Sequence, residues 1–175
     1  MRSVGTAMGE IDAAAGAFCS ALHPRLVGVL SLQCGDRRLA EEIAQDTYAR
    51  VCERWSQVRA MESPEAWTFR VAFNLLASRF RRAAAERRAH DRVVPARDDG
   101  PDDPSDAIAV RAAVSALPAR QRSAVVLRYF ADLSVVATAE IMGCAPGTVK
   151  SLTSQALDRL RAVVIFDDDL EVDRA

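Results

Sequence analysis

The sequence predicts an all-α fold: two small helical domains joined by a flexible acidic linker. Three observations carry that expectation. Half of the 175 residues are hydrophobic but only 6 % are aromatic, an alanine-rich balance that favours packed helices over sheet. Helix-opening signals recur along the chain, whereas strand signals are weak. The stretch RVVPARDDGPDDPSD, residues 92–106, concentrates prolines and acids, cannot bury a core, and divides the chain in two. The expected boundaries are 10–90 for the first domain, 91–104 for the linker, 105–164 for the second domain and 165–175 for an acidic tail.

Taken in order, a first helix is expected at about 10–22, with Pro24 opening the next. Cys34-Gly35-Asp36 reads as a turn whose Asp36 caps a helix running to about Ser56. Leu39, Ile43, Thr47 or Tyr48, Val51 and Trp55 fall on one stripe of that helix. Glu41, Glu42, Gln45, Asp46, Arg50 and Glu53 fall on the opposite side. Ser63-Pro64-Glu65 supplies an N-cap, a first-turn proline and an acid suited to the helix dipole. In the second half, Asp103-Pro104 and Leu117-Pro118 open two more helices, and Ser134 caps a short third. SAVVLRYF could stand alone as a strand, but Pro118 and the adjoining ARQR favour helix.

Several function classes have nothing to rest on. The cysteines, Cys19, Cys34, Cys52 and Cys144, are far apart without a CxxC pair, and read as small buried hydrophobes instead of a metal or redox site. His23 and His90 are isolated. No Gly-rich phosphate loop, nucleophile elbow or paired-carboxylate signature occurs, so no enzyme, cofactor or metal site is expected. No window approaches 18 uninterrupted apolar residues, and no basic region followed by an apolar run opens the chain. The expectation is a cytoplasmic protein with no membrane contact of its own.

The net charge of −1 hides a segregation. Residues 70–92 hold seven arginines (Arg70, Arg79, Arg81, Arg82, Arg87, Arg88, Arg92) against Glu86 and Asp91. Residues 167–175 hold five acids against Arg174, and such a tail should be disordered in isolation. A local basic stripe can hold phosphates whatever the total charge.

Two segments point to nucleic acid. In AEIMGCAPGTVKSLTSQALDRLR, residues 139–161, a small residue, a glycine and an apolar residue (Ala139, Gly143, Val149) stand at spacings of four and six. A helix-turn-helix needs these residue types at such offsets: a close helix contact, a left-handed turn and a plug. A plain helical hairpin meets them less often. The second helix would turn Thr148, Lys150, Ser151, Ser154 and Gln155 outward, where hydroxyls and amides can bond phosphates and base edges. Only Lys150 carries charge there, so binding by this helix alone should be weak. In SPEAWTFRVAFNLLASRFRRAAAERR, residues 63–88, aromatics stand beside arginines, the composition of a single-strand-binding surface. Trp67, Val71 and Leu75 form one apolar stripe, and Phe69, Phe73, Leu76 and Phe80 another. Asn74 lies among them with an amide able to bond a base edge. The alternative is that the aromatics are core, Asn74 is satisfied locally and the arginines are a solvated face; Trp67 reads as core in either case.

Together the segments GDRRLAEEIAQDTYARVCERW, SPEAWTFRVAFNLLASRFRR, ALPARQRSAVVLRYFADLS and AEIMGCAPGTVKS resemble the extracytoplasmic-function (ECF) sigma factors of bacterial RNA polymerase, nearest the actinobacterial SigE-like branch. The resemblance covers about residues 15–163. It implies sigma domain two in the first half and sigma domain four in the second. By that resemblance Glu42, Gln45, Asp46 and Arg50 dock on the clamp coiled coil of the polymerase largest subunit, with the flap as a further contact. Asn74 would meet the extruded base of a melted −10 element, flanked by Arg70, Phe73, Arg79, Arg81 and Arg82. Thr148, Lys150, Ser151, Ser154 and Gln155 would face a duplex −35 element, and an anti-sigma factor is a possible partner. Leu152 and Gln155 stand where the family often has arginine, and Val135-Val136 where it has a polar pair. A stand-alone helix-turn-helix regulator, or a degenerate sigma-like interaction protein, are the alternatives.

Overall fold

In a computed structural model the backbone is described for residues 3–90 and 105–172, and side chains for 13–86 and 109–162. The linker expected at 91–104 and the Asp103-Pro104 helix opening fall outside the described residues. The chain divides into two compact units, residues 1–97 and 98–175.

In the first unit α1 (Ser3–Cys34) runs unbroken with Pro24 inside it, so the two helices expected around that proline are one. An interior proline costs about 3 kcal/mol through its missing N–H and its ring. Leu22, Leu26, Val27, Val29 and Leu30 are all buried around it, each contributing about 1.5–3 kcal/mol. Burial wins. Residues 13–34 are also long and apolar enough, by length and composition, to cross a bilayer. A count of uninterrupted apolar residues misses this, because His23, Arg25 and Gln33 interrupt the run. Here its apolar stripe packs against α2 (Arg37–Glu53).

The turn between them needs Gly35, whose φ of +73° is disfavoured for residues with a Cβ. Asp36 then caps α2, its Oδ1 accepting from the Leu39 N–H at 3.0 Å. Ala40, Ile43, Ala44, Thr47, Tyr48 and Val51 form the buried face. The helix expected to reach Ser56 stops at Glu53, and a single turn, α3 (Trp55–Val58), follows. That break seats the Trp55 ring 5.2 Å from Phe18. Pairing α1 with α2 also brings two cysteines together. Burial first, and then the neighbouring Cys52, pushes the Cys19 thiol up to about 11. Of the four cysteines only Cys19 is buried, while Cys34 and Cys144 are half-buried and Cys52 is exposed, which corrects the reading of all four as buried.

α4 (Pro64–His90) opens with Ser63 Oγ accepting from the Ala66 N–H at 3.1 Å. Its buried face is Thr68, Phe69, Ala72 and Leu76, packed on α2 and α1. Arg25 of α1 fastens the first turn, pairing with Glu65 and lying 5.7 Å over the Phe69 ring.

In the second unit α5 (Ser105–Ala116) leads to α6 (Ala119–Val125). SAVVLRYF is helical, and its end widens into a π-helical turn, Val126–Phe130, closed by Ala131 N–H to Val126 O at 3.0 Å. α7 (Val135–Met142) starts at Ser134, whose Oγ accepts from the Ala137 N–H at 3.1 Å. Gly143 ends it at φ +59°, and α8 (Pro146–Val172) follows. α8 thus continues as helix through residues 165–172 of the segment the sequence set apart as a tail. Leu117, Val125 and Ala156 form a core cluster with Leu160 against it.

Candidate nucleic-acid interface

α4 has two unlike sides. Residues four apart advance about 40° beyond one full turn, so Arg70, Asn74 and Arg81 fall within roughly 40° of one another. All three are exposed, on the side opposite the buried Phe69, Ala72 and Leu76. Phe73 is half-buried and Phe80 is 43 % exposed; the two share one flank of this stripe, with Arg82 on the other. Trp67 is half-buried, not core as the sequence suggested, and lies on the Asn74 side. Phe69 is fully buried and is the aromatic that belongs to the core. The result is a solvent-facing line of two guanidinium groups and an amide, edged by aromatic rings. Such a surface can follow a phosphate backbone and stack bases.

Arg79 does not join that line. It turns toward α2, with its Nη2 3.5 Å from Glu42 Oε2. Glu42 also meets Arg38 of its own helix at 3.6 Å. Gln45, Asp46 and Arg50 lie beside Glu42 on the exposed face of α2. The structure therefore brings Arg79, expected at nucleic acid, onto Glu42, expected at a protein surface. Both groups of that pair are about half exposed, so it contributes at most about 1 kcal/mol and can open readily.

In the second unit the three spaced residues take distinct places. Ala139 is 4 % exposed, letting α7 approach α8 closely. Gly143 holds the left-handed turn, with Cys144 N–H bonded to Ala139 O at 3.0 Å. Val149 is fully buried, plugging α8 onto α7. Thr148, Lys150, Ser151, Ser154 and Gln155 are all exposed on the first turns of α8. Leu152 is half-buried.

A residue the sequence reading passed over stands behind this face. Gln121 of α6 is 6 % exposed, and its Nε2 donates to Gln155 Oε1 at 3.1 Å. Gln155 Nε2 in turn donates to Ser151 Oγ at 3.1 Å. The available signal was the helical stripe Leu117, Gln121, Val125, in which one polar residue interrupts an apolar series. Among the described residues, no group of three or more His, Cys, Asp or Glu is placed to hold a metal.

Comparisons with known proteins decide the family. Residues 18–86 match the family described as Sigma-70 region 2, and residues 107–160 match Sigma-70, region 4. The RNA polymerase sigma-E factor of Streptomyces antibioticus is 32 % identical over 123 residues, covering 70 % of this chain and 68 % of that protein. The ECF RNA polymerase sigma factor ShbA of Streptomyces griseus is 30 % identical over 141 residues, covering 73 % and 72 %. This chain is an ECF sigma factor. Among solved structures, the sigma factor RpoE of Bartonella quintana, in complex with the anti-sigma factor NepR, is similar at a TM-score of 0.69. It is 27 % identical and covers 86 % of this chain and 98 % of that one. Sigma factors are initiation factors of RNA polymerase, so the surfaces of α2, α4 and α8 belong to a protein that binds core polymerase and promoter DNA.

Proposed function

We propose that this sigma factor divides its work along the boundaries read from the sequence. Residues 10–90 dock on core polymerase and capture melted −10 bases, residues 105–164 read duplex −35, and residues 91–104 connect them. Residues 165–175 are the acidic tail. Glu42, Gln45, Asp46 and Arg50 form the docking face for the clamp coiled coil, with the flap as a second contact. Arg70, Phe73, Asn74, Arg81 and Arg82 form the single-strand surface. Arg79 joins them once it leaves Glu42. Thr148, Lys150, Ser151, Ser154 and Gln155 meet the −35 duplex.

One observation carries this reading: Arg70, Asn74 and Arg81 align on the solvent side of α4, opposite its core face, in a chain that also holds the Ala139–Gly143–Val149 turn. A stand-alone regulator would leave the first surface without a role. The chain is a specificity subunit and no enzyme by itself, it works in the cytoplasm, and an anti-sigma factor is a fitting further partner.

Run-off transcription tests this directly. Purified core polymerase with the full chain should start transcripts at discrete positions on a genomic fragment library, and core alone should not. A stand-alone regulator, or a sigma-like interaction protein, would yield no added initiation.

A further inference from the structure

We infer that Gln121, buried in α6 and outside the DNA-facing set, is a positioning residue that fixes what the α8 reader offers to duplex DNA. The inference rests on the assignment of the α8 face to the −35 element. Gln121 stands four residues from both Leu117, which precedes α6, and Val125 within it, and these two pack in one core cluster with Ala156 of α8. An apolar side chain of similar length would fill that place without desolvating an amide. The amide there is only half used: Nε2 reaches Gln155 Oε1 at 3.1 Å, while Oε1 is buried without a partner. A buried polar atom left unpaired is costly, so the bond to Gln155 is what the amide contributes at this position.

The chain of bonds has a direction, and the direction sets the surface chemistry. Gln121 occupies the oxygen of Gln155, and Gln155 gives one of its N–H groups to Ser151 Oγ at 3.1 Å. Ser151 accepts inside the protein and so keeps its own O–H for the outside. The Gln155 oxygen keeps a second lone pair, but its bond to Gln121 holds it toward α6, which disfavours a two-point pairing with adenine. At Lys150, Ser151 and Gln155 the groups left toward DNA are then chiefly donors: the lysine ammonium, the Ser151 O–H and one Gln155 N–H. The base edge under Ser151 and Gln155 should therefore be one that presents acceptors, such as guanine N7 and O6 or thymine O4.

The test uses holoenzyme formed from core polymerase and the full chain, on a promoter library randomised across the upstream element, with transcripts sequenced. Gln121→Met keeps length and removes the amide. It should relax preference at one upstream base pair several-fold, leave the salt dependence of binding unchanged, and have no further effect in a Gln155→Ala background. Unchanged preference in Gln121→Met, or an equal added shift in the Gln155→Ala background, would overturn the role of Gln121. Lys150→Ala and Ser151→Ala test the underlying assignment separately: if neither alters upstream binding or preference, the α8 face is not the reader. Thermal unfolding of each variant identifies a misfolded chain, for which Gln121→Leu is the replacement.

Discussion

The faces proposed for nucleic acid on the two units are built on opposite principles. On α4 the line is Arg70, Asn74 and Arg81, with Arg82 on its flank, so charge dominates and phosphates can supply much of the affinity. On the first turns of α8 the exposed set is Thr148, Lys150, Ser151, Ser154 and Gln155, with one cation among five polar side chains. The first face can bind a flexible single strand through guanidinium groups and rings that tolerate many geometries. The second would depend on short-range hydrogen bonds, which require α8 to be held in place, as Ala139, Gly143 and Val149 hold it. The difference teaches where each unit is vulnerable: the first to loss of charge, the second to loss of packing.

The largest expected effect comes from removing that charge. Arg70→Ala combined with Arg81→Ala should weaken holoenzyme binding to a single-stranded −10 oligonucleotide by about a hundredfold, about tenfold for each charged contact. The slope of log affinity against log salt should fall by about 1.4. Filter binding across a salt series measures both, and an unchanged slope would remove these arginines from the phosphate path.

Packing is the complementary target. Val149→Ala should destabilise the second unit by about 2 kcal/mol, since a fully buried valine loses most of its side chain. Both tryptophans, Trp55 and Trp67, lie in the first unit. Chemical unfolding followed by tryptophan fluorescence should therefore stay in place while the far-ultraviolet circular dichroism transition broadens to lower denaturant. A common shift in both signals would mean that the two units unfold together.

Gly143→Ala should cost about 1 kcal/mol. A Cβ there would meet nothing within 4 Å, so the cost is the left-handed backbone alone. Gly143→Asn should recover part of it, because asparagine tolerates that region. Equal stability of the alanine variant by denaturant midpoint would show that the turn relaxes.

The smallest effect on stability is expected on the α2 face. Asp46→Arg should change unfolding free energy by less than about 0.5 kcal/mol with unchanged helix content, yet weaken core polymerase binding in a pull-down or fluorescence titration. Normal binding would move the docking surface elsewhere.

What the sequence made legible was local. Asp36, Ser63 and Ser134 each accept a hydrogen bond from a backbone N–H three residues on, as cap chemistry requires. Gly143 sits at positive φ for reasons that its neighbours in sequence already supply. What escaped the sequence depends on the partner across the interface. Pro24 stays inside a helix because five aliphatic residues around it are buried against other elements. Phe69, Phe73 and Phe80 share an apolar stripe, but only Phe69 is fully buried, since α1 and α2 cover just that part of α4. Arg79 turns to Glu42 and Gln121 to Gln155, across 37 and 34 residues of chain respectively. No periodicity within one helix announces such pairs.

The central claim is that one chain carries two separable DNA readers of unlike chemistry. It is tested most directly by sequencing transcripts from a library randomised in both promoter elements, using holoenzyme with Asn74→Ala or with Ser151→Ala. The account predicts that Asn74→Ala changes preference at one downstream, melted position and leaves the upstream element alone. Ser151→Ala should do the reverse. A uniform fall in transcription with unchanged preference in both elements would contradict it, because side chains that only support structure lower occupancy without altering which bases are chosen.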